Sequence, residues 1–261
     1  MCGIAGFAGF DGSAGLDRMV GAIRHRGPDD VGFARAGARA GLGFARLSII
    51  DLAGGHQPFH GETGGVQAVV NGEIYNHQDL RQELIALGHV FTTASDGEVV
   101  LHGYEQWGPK VCARLEGMFA FAVWDDARTT LLLARDRLGK KPLYWSHVDT
   151  GIAFSSEPKA LLTLGGAGRI SPAATLMYLT SDSVPTPFSI WTGIHKLDPG
   201  SLLQWSSSSG VRRETFWTPH IDVHPEFGSS DWEDELQARL WDSVGQRLMS
   251  DAPLGLFMSS G

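Results

Sequence analysis

The chain has 261 residues, of which 43% are hydrophobic, and it carries a formal net charge of −8 at pH 7. This length suits one large domain, or one domain with part of another, and the apolar content is ample for a packed core. The acidic balance argues against nucleic acid as a partner. No apolar run approaches the about 18 residues of a membrane span, so we expect no association with membranes.

The cysteine and histidine content indicates chemistry without a metal. Two cysteines, Cys2 and Cys112, form neither a disulfide framework nor a metal-binding motif, so we expect a reducing, cytoplasmic location. None of the ten histidines pairs with another at metal-ligand spacing in an acidic or cysteine-rich context. The sequence therefore predicts no metal site.

The predicted secondary structure falls into blocks of strands and helices. The elements are, in chain order, strand 2–9, helix 14–24, strands 40–47 and 66–70, helices 77–87 and 97–107, strands 117–124, 130–134, 142–146 and 152–155, and helices 157–164 and 171–180. Asn71-Gly72 is typical of a hairpin turn, and Ser95 or Asp96 suits the N-cap of helix 97–107. Blocks of this kind, with many hairpins, predict a layered α+β fold.

The last thirty residues have a different pattern. An amphipathic helix is predicted over 231–249, with apolar residues at every fourth position. The continuous apolar run 253–258 is typical of a strand buried on both faces of a parallel sheet. Because such a strand needs a parallel partner that this sequence does not supply, we interpret 231–261 as the first helix and strand of an incomplete second domain, which leaves apolar surface exposed.

The second residue of the chain is a candidate nucleophile. If Met1 is removed, Cys2 carries both a thiol and a free α-amine. An α-amino group titrates near pH ~7.7–8, so it is partly unprotonated at neutral pH and can take a proton from a neighbouring thiol. Nucleophile and base would then lie on one residue, without a separate histidine.

Several short motifs follow Cys2, and each has a structural interpretation of its own as a helix end, a turn, a cap or a core strand. They are Met1-Cys2-Gly3-Ile4, Arg24-His25-Arg26-Gly27-Pro28-Asp29, 45–51, Val70-Asn71-Gly72-Glu73-Ile74-Tyr75-Asn76, Ser95-Asp96-Gly97-Glu98-Val99, 117–121, 134–144 and 155–161. Together and in this order they resemble the class II, or N-terminal nucleophile (Ntn), glutamine amidotransferase domain, and most closely that of the glutamine-hydrolysing asparagine synthetase family.

The resemblance implies a fold and a division of the chain. The fold is a four-layer αββα Ntn-hydrolase sandwich, with Cys2 at the start of a central strand. Residues 2–219 would form the glutaminase domain and 220–230 a linker, and 231–261 would begin an incomplete α/β domain of the ATP-pyrophosphatase type. The blocks 47–58 and 135–144 also resemble a branch of the family from bacterial polysaccharide gene clusters.

The resemblance also implies the catalytic roles. The Cys2 thiolate attacks the glutamine carboxamide, which gives a glutamyl thioester and releases ammonia. The Asn71 side-chain amide and the Gly72 N–H form the oxyanion hole. The binding residues implied for glutamine are Arg46 for the α-carboxylate, Glu73 and Asp96 for the α-ammonium, and the backbone of Ile50. A planar guanidinium suits a carboxylate, and two carboxylates suit one cation.

The resemblance further implies partners and cofactors. The glutaminase step needs no cofactor, whereas the full-length family uses ATP and Mg²⁺ in a loop of the form Ser-Gly-Gly-x-Asp-Ser. Ser259-Ser260-Gly261 matches only the beginning of that loop, with Ser260 at a glycine position, so we assign no ATP-site residue. Glutamine is the expected substrate and aspartate the expected ammonia acceptor, and homodimers are common in the family.

Two alternatives remain from the sequence. One is another N-terminal nucleophile amidotransferase, of the phosphoribosyl, glucosamine-phosphate or glutamate synthase systems, or one from a polysaccharide cluster with a non-aspartate acceptor. The other is an inactive fragment or a non-catalytic module that retains the fold. Intact Cys2, Arg46, Asn71, Gly72 and Asp96 argue against the second alternative.

Overall fold

Two antiparallel sheets form the centre of the molecule. The computed structural model describes residues 2–165, 168–223 and 228–259. The strands are β1 (Gly3–Ala8), β2 (Asp30–Ala36), β3 (Ala40–Arg46), β4 (Phe59–His60), β5 (Val66–Ile74), β6 (Gly117–Asp125), β7 (Thr130–Arg135), β8 (Tyr144–Val148), β9 (Gly151–Ser155), β10 (His195–Lys196), β11 (Ser201–Ser206) and β12 (Gly210–Thr215). The α-helices are α1 (Ser13–Ala22), α2 (His77–Ala86), α3 (Glu98–Trp107), α4 (Val111–Arg114), α5 (Pro158–Leu162), α6 (Pro172–Ser181) and α7 (Ser229–Gln246).

The strand order places the N-terminal strand inside its sheet. The first sheet has the order β10-β8-β9-β1-β3-β2, and the second has the order β12-β11-β7-β6-β5-β4. β1 pairs with β3 on one side and with β9 on the other. Cys2 therefore directly precedes a central strand.

Three apolar clusters define four layers. Between the sheets, Ile4 and Phe44 of the first sheet pack with Val69, Trp124 and Leu133 of the second. A second cluster joins α2, α3 and α4 to the outer face of the second sheet, and a third joins α1 and α5 to the outer face of the first. Each fully buried large apolar side chain contributes about 1.5–3 kcal/mol. The predicted αββα architecture is confirmed.

The predicted turn at Asn71-Gly72 is wrong. Both residues lie within β5, where Asn71 pairs with Ala120 and Gly72 with Phe119 of β6. A Cβ atom at position 72 would lie 2.1 Å from the Met118 carbonyl oxygen and 2.6 Å from the Phe119 Cα. Glycine is therefore required here by the close approach of two strands, and the predicted strand 66–70 extends to Ile74.

The predicted N-cap of α3 is also wrong. Gly97 occupies the N-cap position, and no side chain caps this helix. The Asp96 carboxylate instead accepts a hydrogen bond of 2.7 Å from the Ile74 N–H, which ties the start of α3 to the end of β5. The sequence prediction also missed β2, β4, β10, β11 and β12, and it overestimated the buried face of α2, where Ile85 and Leu87 are exposed.

The C-terminal helix is confirmed, and the apolar run after it, predicted to lack its parallel partner, forms no strand in the described part of the chain. α7 is followed over 253–259 by a segment without regular structure, which finds no strand to pair with in the described part of the chain. Phe257 and Met258 are exposed, as are Leu236 and Trp241 on α7. Residues 224–227 of the predicted linker and Ser260-Gly261 lie outside the described residues.

Asp251 and Arg247 attach this C-terminal segment to the sandwich. The Asp251 N–H donates to the Ile49 carbonyl at 2.9 Å, and the Asp251 carboxylate accepts from the Asp51 N–H at 2.7 Å. The Arg247 guanidinium lies 4.9 Å from the centre of the Tyr75 ring.

Among the described residues, no helix is both long enough and apolar enough to cross a membrane.

We expect removal of residues 220–261 to improve solubility with little loss of stability. The exposed apolar face of α7 favours self-association, and the few contacts that are lost correspond to a fall in Tm of less than about 4 °C. Light scattering and thermal unfolding test this expectation, with the full-length Trp241→Glu variant as a control because Trp241 is 82% exposed. A larger fall in Tm on truncation would show that the segment is packed.

Candidate active site

A cavity of about 370 Å³ opens where the ends of both sheets meet. This volume is within the usual range for a small-molecule site. The residues that line it are Cys2, Phe44, Arg46, Leu47, Ile49, Ile50, Gly55, Gln57, Val70, Asn71, Gly72, Glu73, Ser95, Asp96, Met118 and Lys141. All seven residues implied by the resemblance lie in this one cavity.

Cys2 is held by its backbone and by its sulfur. Its Sγ lies 3.4 Å from the Leu47 nitrogen and 3.5 Å from the Leu47 carbonyl oxygen. Its own carbonyl accepts a 2.9 Å bond from Arg26 Nε, and Arg26 is in turn paired with Glu157. Burial raises the pKa of the Cys2 thiol, against the opposing effects of Leu47 and of the positive charge on Arg46. A group that accepts the thiol proton is therefore needed at neutral pH.

Asn71 is completely buried, and neither its amide nitrogen nor its amide oxygen has a hydrogen-bond partner among the described residues. Leaving a buried polar group unpaired costs about 1–3 kcal/mol. The side chain lines the cavity that also holds Cys2 Sγ. It is therefore positioned to donate a hydrogen bond to a molecule bound there.

The strand geometry of β5 places the Gly72 backbone at the same edge. In an antiparallel ladder, the N–H and C=O of alternate residues point to the same side. Both polar backbone groups of Val70 bond to the Gln57 side chain, and the Ile74 N–H bonds to Asp96. Gly72 lies midway between Val70 and Ile74, so its N–H and C=O face this free edge of β5 as well.

Arg46 is a buried cation fixed by a loop. Its guanidinium donates to the backbone carbonyls of Ile50, Asp51 and Leu52. Gly55 lies against it, and a Cβ at that position would approach the guanidinium to 2.6 Å. The side chain is only 4% exposed and still lines the cavity, so it can present donors to an anion.

Two acidic side chains, Glu73 and Asp96, also line the cavity. Burial raises the pKa of Asp96 to about 6, although the Ile74 N–H opposes this shift. Burial also raises the pKa of Glu73; the nearby Lys141 opposes that shift and the negative charge of Asp96 adds to it. Two desolvated carboxylates in one cavity favour the binding of a cation between them.

The comparisons with known proteins identify the family of this chain. Residues 1–217 match the family described as the glutamine amidotransferase domain. The chain belongs to this family. A Mycobacterium tuberculosis protein named as a glutamine-hydrolysing asparagine synthetase is 39% identical over 99% of this chain and 42% of its own length. Asparagine synthetase [glutamine-hydrolyzing] 1 of Bacillus subtilis is 35% identical over 94% of this chain and 39% of its own length.

A solved structure supports the fold of this amidotransferase domain. Glutamine phosphoribosylpyrophosphate amidotransferase from Bacillus subtilis matches with a TM-score of 0.64 and 19% identity, over 84% of this chain and 50% of that one. At this identity the likeness concerns the fold alone. The chain spans about two fifths of the length of the two synthetase-named relatives.

The amidotransferase cavity includes residues that the sequence reasoning did not assign. Leu47 contacts the Cys2 sulfur, Gln57 bonds to β5, and Lys141 is a buried cation whose pKa is lowered by burial. Gln57 and Lys141 lie within the blocks 47–58 and 135–144, so the motifs contained them without indicating a role. Leu47 acts through its backbone, which residue type does not reveal.

We expect the Asn71→Leu variant to be at least as stable as the wild-type domain. Because the amide makes no hydrogen bond, an apolar side chain of similar size removes a penalty of about 1 kcal/mol or more, and Tm should be unchanged or rise by about 2–4 °C. Thermal unfolding of both proteins without ligand measures this change. A clear fall in Tm would contradict it and show that the amide is bonded within the fold.

Proposed function

We propose that this amidotransferase domain hydrolyses the side-chain amide of glutamine, with Cys2 as the nucleophile. The observation that carries the proposal is the unpaired, completely buried amide of Asn71, next to the outward N–H of Gly72 and in one cavity with Cys2 Sγ. These two donors suit an oxygen that gains negative charge, and a buried site strengthens their effect.

The proposed reaction begins at the sulfur. After removal of Met1, the Cys2 α-amine takes the thiol proton, and the thiolate attacks the carboxamide carbon of glutamine. Asn71 and Gly72 donate to the resulting oxyanion. The C–N bond of the carboxamide then breaks, and the protonated α-amine gives its proton to the departing nitrogen. Ammonia is released, and Cys2 remains as a glutamyl thioester. Water hydrolyses the thioester to glutamate and restores the thiol.

The remaining charged groups would select free glutamine. Arg46 offers donors to the α-carboxylate, in a position set by the carbonyls of Ile50, Asp51 and Leu52. Glu73 and Asp96 offer two carboxylates to the α-ammonium. Binding this cation would lower the raised pKa values of both acids, so the electrostatic penalty of the empty cavity becomes a preference for the substrate.

The acceptor of the ammonia is a further part of the proposal. We propose that residues 231–261 begin a synthetase domain that amidates a carboxylate, with aspartate favoured because of the names of the relatives. ATP and Mg²⁺ would act in that domain. A different carboxylate acceptor is the alternative, and product analysis would distinguish the two. A cytoplasmic location fits the two free cysteines.

Glutamate release from glutamine by the purified chain tests the glutaminase proposal directly. The N-terminal mass of the same sample shows whether Cys2 carries a free amine. We expect activity from protein without Met1, its loss in Cys2→Ala, and a fall of about 10²–10³ in kcat for Asn71→Ala. Equal activity in Cys2→Ala would contradict the proposed nucleophile. No activity despite a free Cys2 amine would contradict an autonomous glutaminase.

The KM for glutamine should rise as the pH falls below about 6. The raised pKa of Asp96 means that this carboxyl takes up a proton near pH 6 in the empty site, and the neutral form no longer attracts the α-ammonium. The rise is at most about tenfold per pH unit for one proton. Steady-state kinetics between pH 5 and pH 8 measure this rise in KM. The range extends about one pH unit below and two pH units above the pKa of Asp96.

Two variants identify the titrating group. Asp96→Asn should have a raised KM that no longer changes near pH 6, whereas Glu73→Gln should have a raised KM that keeps this dependence. If Asp96→Asn retained the wild-type pH profile, a different group would be titrating.

A further inference from the structure

Four side chains meet outside the cavity that holds Cys2. Glu62 follows β4, His89 follows α2, and His102 and Glu105 lie one turn apart on α3. One ligand atom from each of these four residues lies within 4.8 Å of the other three. We call them the His89–His102 cluster. Its members come from three separate segments, so only the folded chain brings them together.

The distances within the cluster fit a small tetrahedral ion. His89 Nδ1 lies 3.1 Å from Glu62 Oε1 and 3.8 Å from Glu105 Oε2. His102 Nδ1 lies 3.3 Å and 3.0 Å from the same two oxygens. Ligands about 2.0–2.1 Å from a tetrahedral zinc ion are separated by about 3.3–3.4 Å. The four measured separations bracket this value.

One outward ring nitrogen has the partner that a metal-binding histidine needs, and the other has a carboxylate nearby. His89 Nε2 lies 3.2 Å from Gln106 Oε1, whereas His102 Nε2 lies 3.6 Å from Glu98 Oε1 and makes no hydrogen bond with the described residues. Ligating histidines usually direct their second nitrogen to a carboxylate or carbonyl oxygen, which fixes the tautomer. In the metal-free protein each Nδ1 faces a carboxylate oxygen, and a bound ion would take the place of the proton shared there.

The surroundings of the cluster are rigid on one side and open on the other. Glu98 is buried and is itself held by the N–H and hydroxyl groups of Thr92 and Thr93. The His102 side chain is 1% exposed, whereas that of Glu62 is 35% exposed. An ion could therefore enter beside Glu62 and reach a preformed imidazole. The carboxylates of Glu62, Glu98 and Glu105 around the two imidazoles also favour a cation.

We propose that Glu62, His89, His102 and Glu105 bind one divalent transition-metal ion, for which zinc is the best match. Two imidazoles and two carboxylates suit zinc, and four protein ligands leave no open position for a substrate. The ion would be structural. It would join three parts of the chain: the segment after β4, the connection between α2 and α3, and α3 itself. The first turn of α3 directly follows Asp96, which lines the cavity.

Zinc binding to the full chain tests this proposal, with Cys2→Ala as the background so that the thiol cannot bind the metal. Protein freed of metal with a chelator is titrated with zinc chloride, and bound zinc and Tm are measured. We expect one zinc per chain and a rise in Tm of about 5–10 °C when free zinc is a hundredfold above Kd. Glu62→Gln and His89→Gln should each weaken binding at least about tenfold.

The matched control is His60→Gln, because His60 is exposed and close in sequence but lies outside the cluster. It should bind zinc as the background protein does. Failure of the folded background protein to bind zinc would overturn the proposal and leave the cluster as a hydrogen-bonded ion network. Binding that is unchanged in both Glu62→Gln and His89→Gln would also overturn it, because the ion would then lie elsewhere.

Discussion

The alternation of backbone groups along β5 is the constraint on which the active site depends. An antiparallel strand turns every second N–H and C=O to the same edge, and at this edge Val70 and Ile74 are already bonded to Gln57 and Asp96. Gly72 lies between them, and the neighbouring residue Asn71 adds its amide to the same cavity. One short stretch of strand thus supplies two hydrogen-bond donors without any loop that must order itself.

Burial has opposite consequences for the groups around this edge. It makes the thiol of Cys2 harder to ionise and the carboxyls of Glu73 and Asp96 harder to keep charged. Each of these groups is therefore under electrostatic stress in the empty cavity. A bound cation would favour the charged forms of Glu73 and Asp96 and so lower their raised pKa values.

Local patterns in the sequence were sufficient for a layered α+β fold, whereas the sandwich architecture and the seven predicted site residues followed from the family resemblance. These patterns failed where a tertiary contact overrides a local signal. Asn71-Gly72 has the composition of a turn, but the close approach of β6 requires the glycine within a strand. Asp96 has the composition of a helix cap, but the Ile74 N–H occupies its carboxylate. In both cases the deciding partner is distant in sequence.

The same dependence on distant partners applies to two other parts of the chain. The apolar run 253–258 has the composition of a buried strand, but a strand also needs a neighbour to bond to. The sequence did not predict the His89–His102 cluster, because its side chains come from positions 62, 89, 102 and 105 and no spacing rule links residues from three segments. Short-range periodicity identifies elements, whereas sites assembled from several segments depend on how those elements pack.

The pair of hydrogen bonds at Asp251 has a geometric consequence. These bonds join residue 251 to Ile49 and Asp51, and the carbonyls of Ile50, Asp51 and Leu52 hold Arg46. The backbone at residue 251 is therefore bonded to the loop whose carbonyls hold Arg46, and the chain after it starts beside the cavity that Ile49 and Ile50 line.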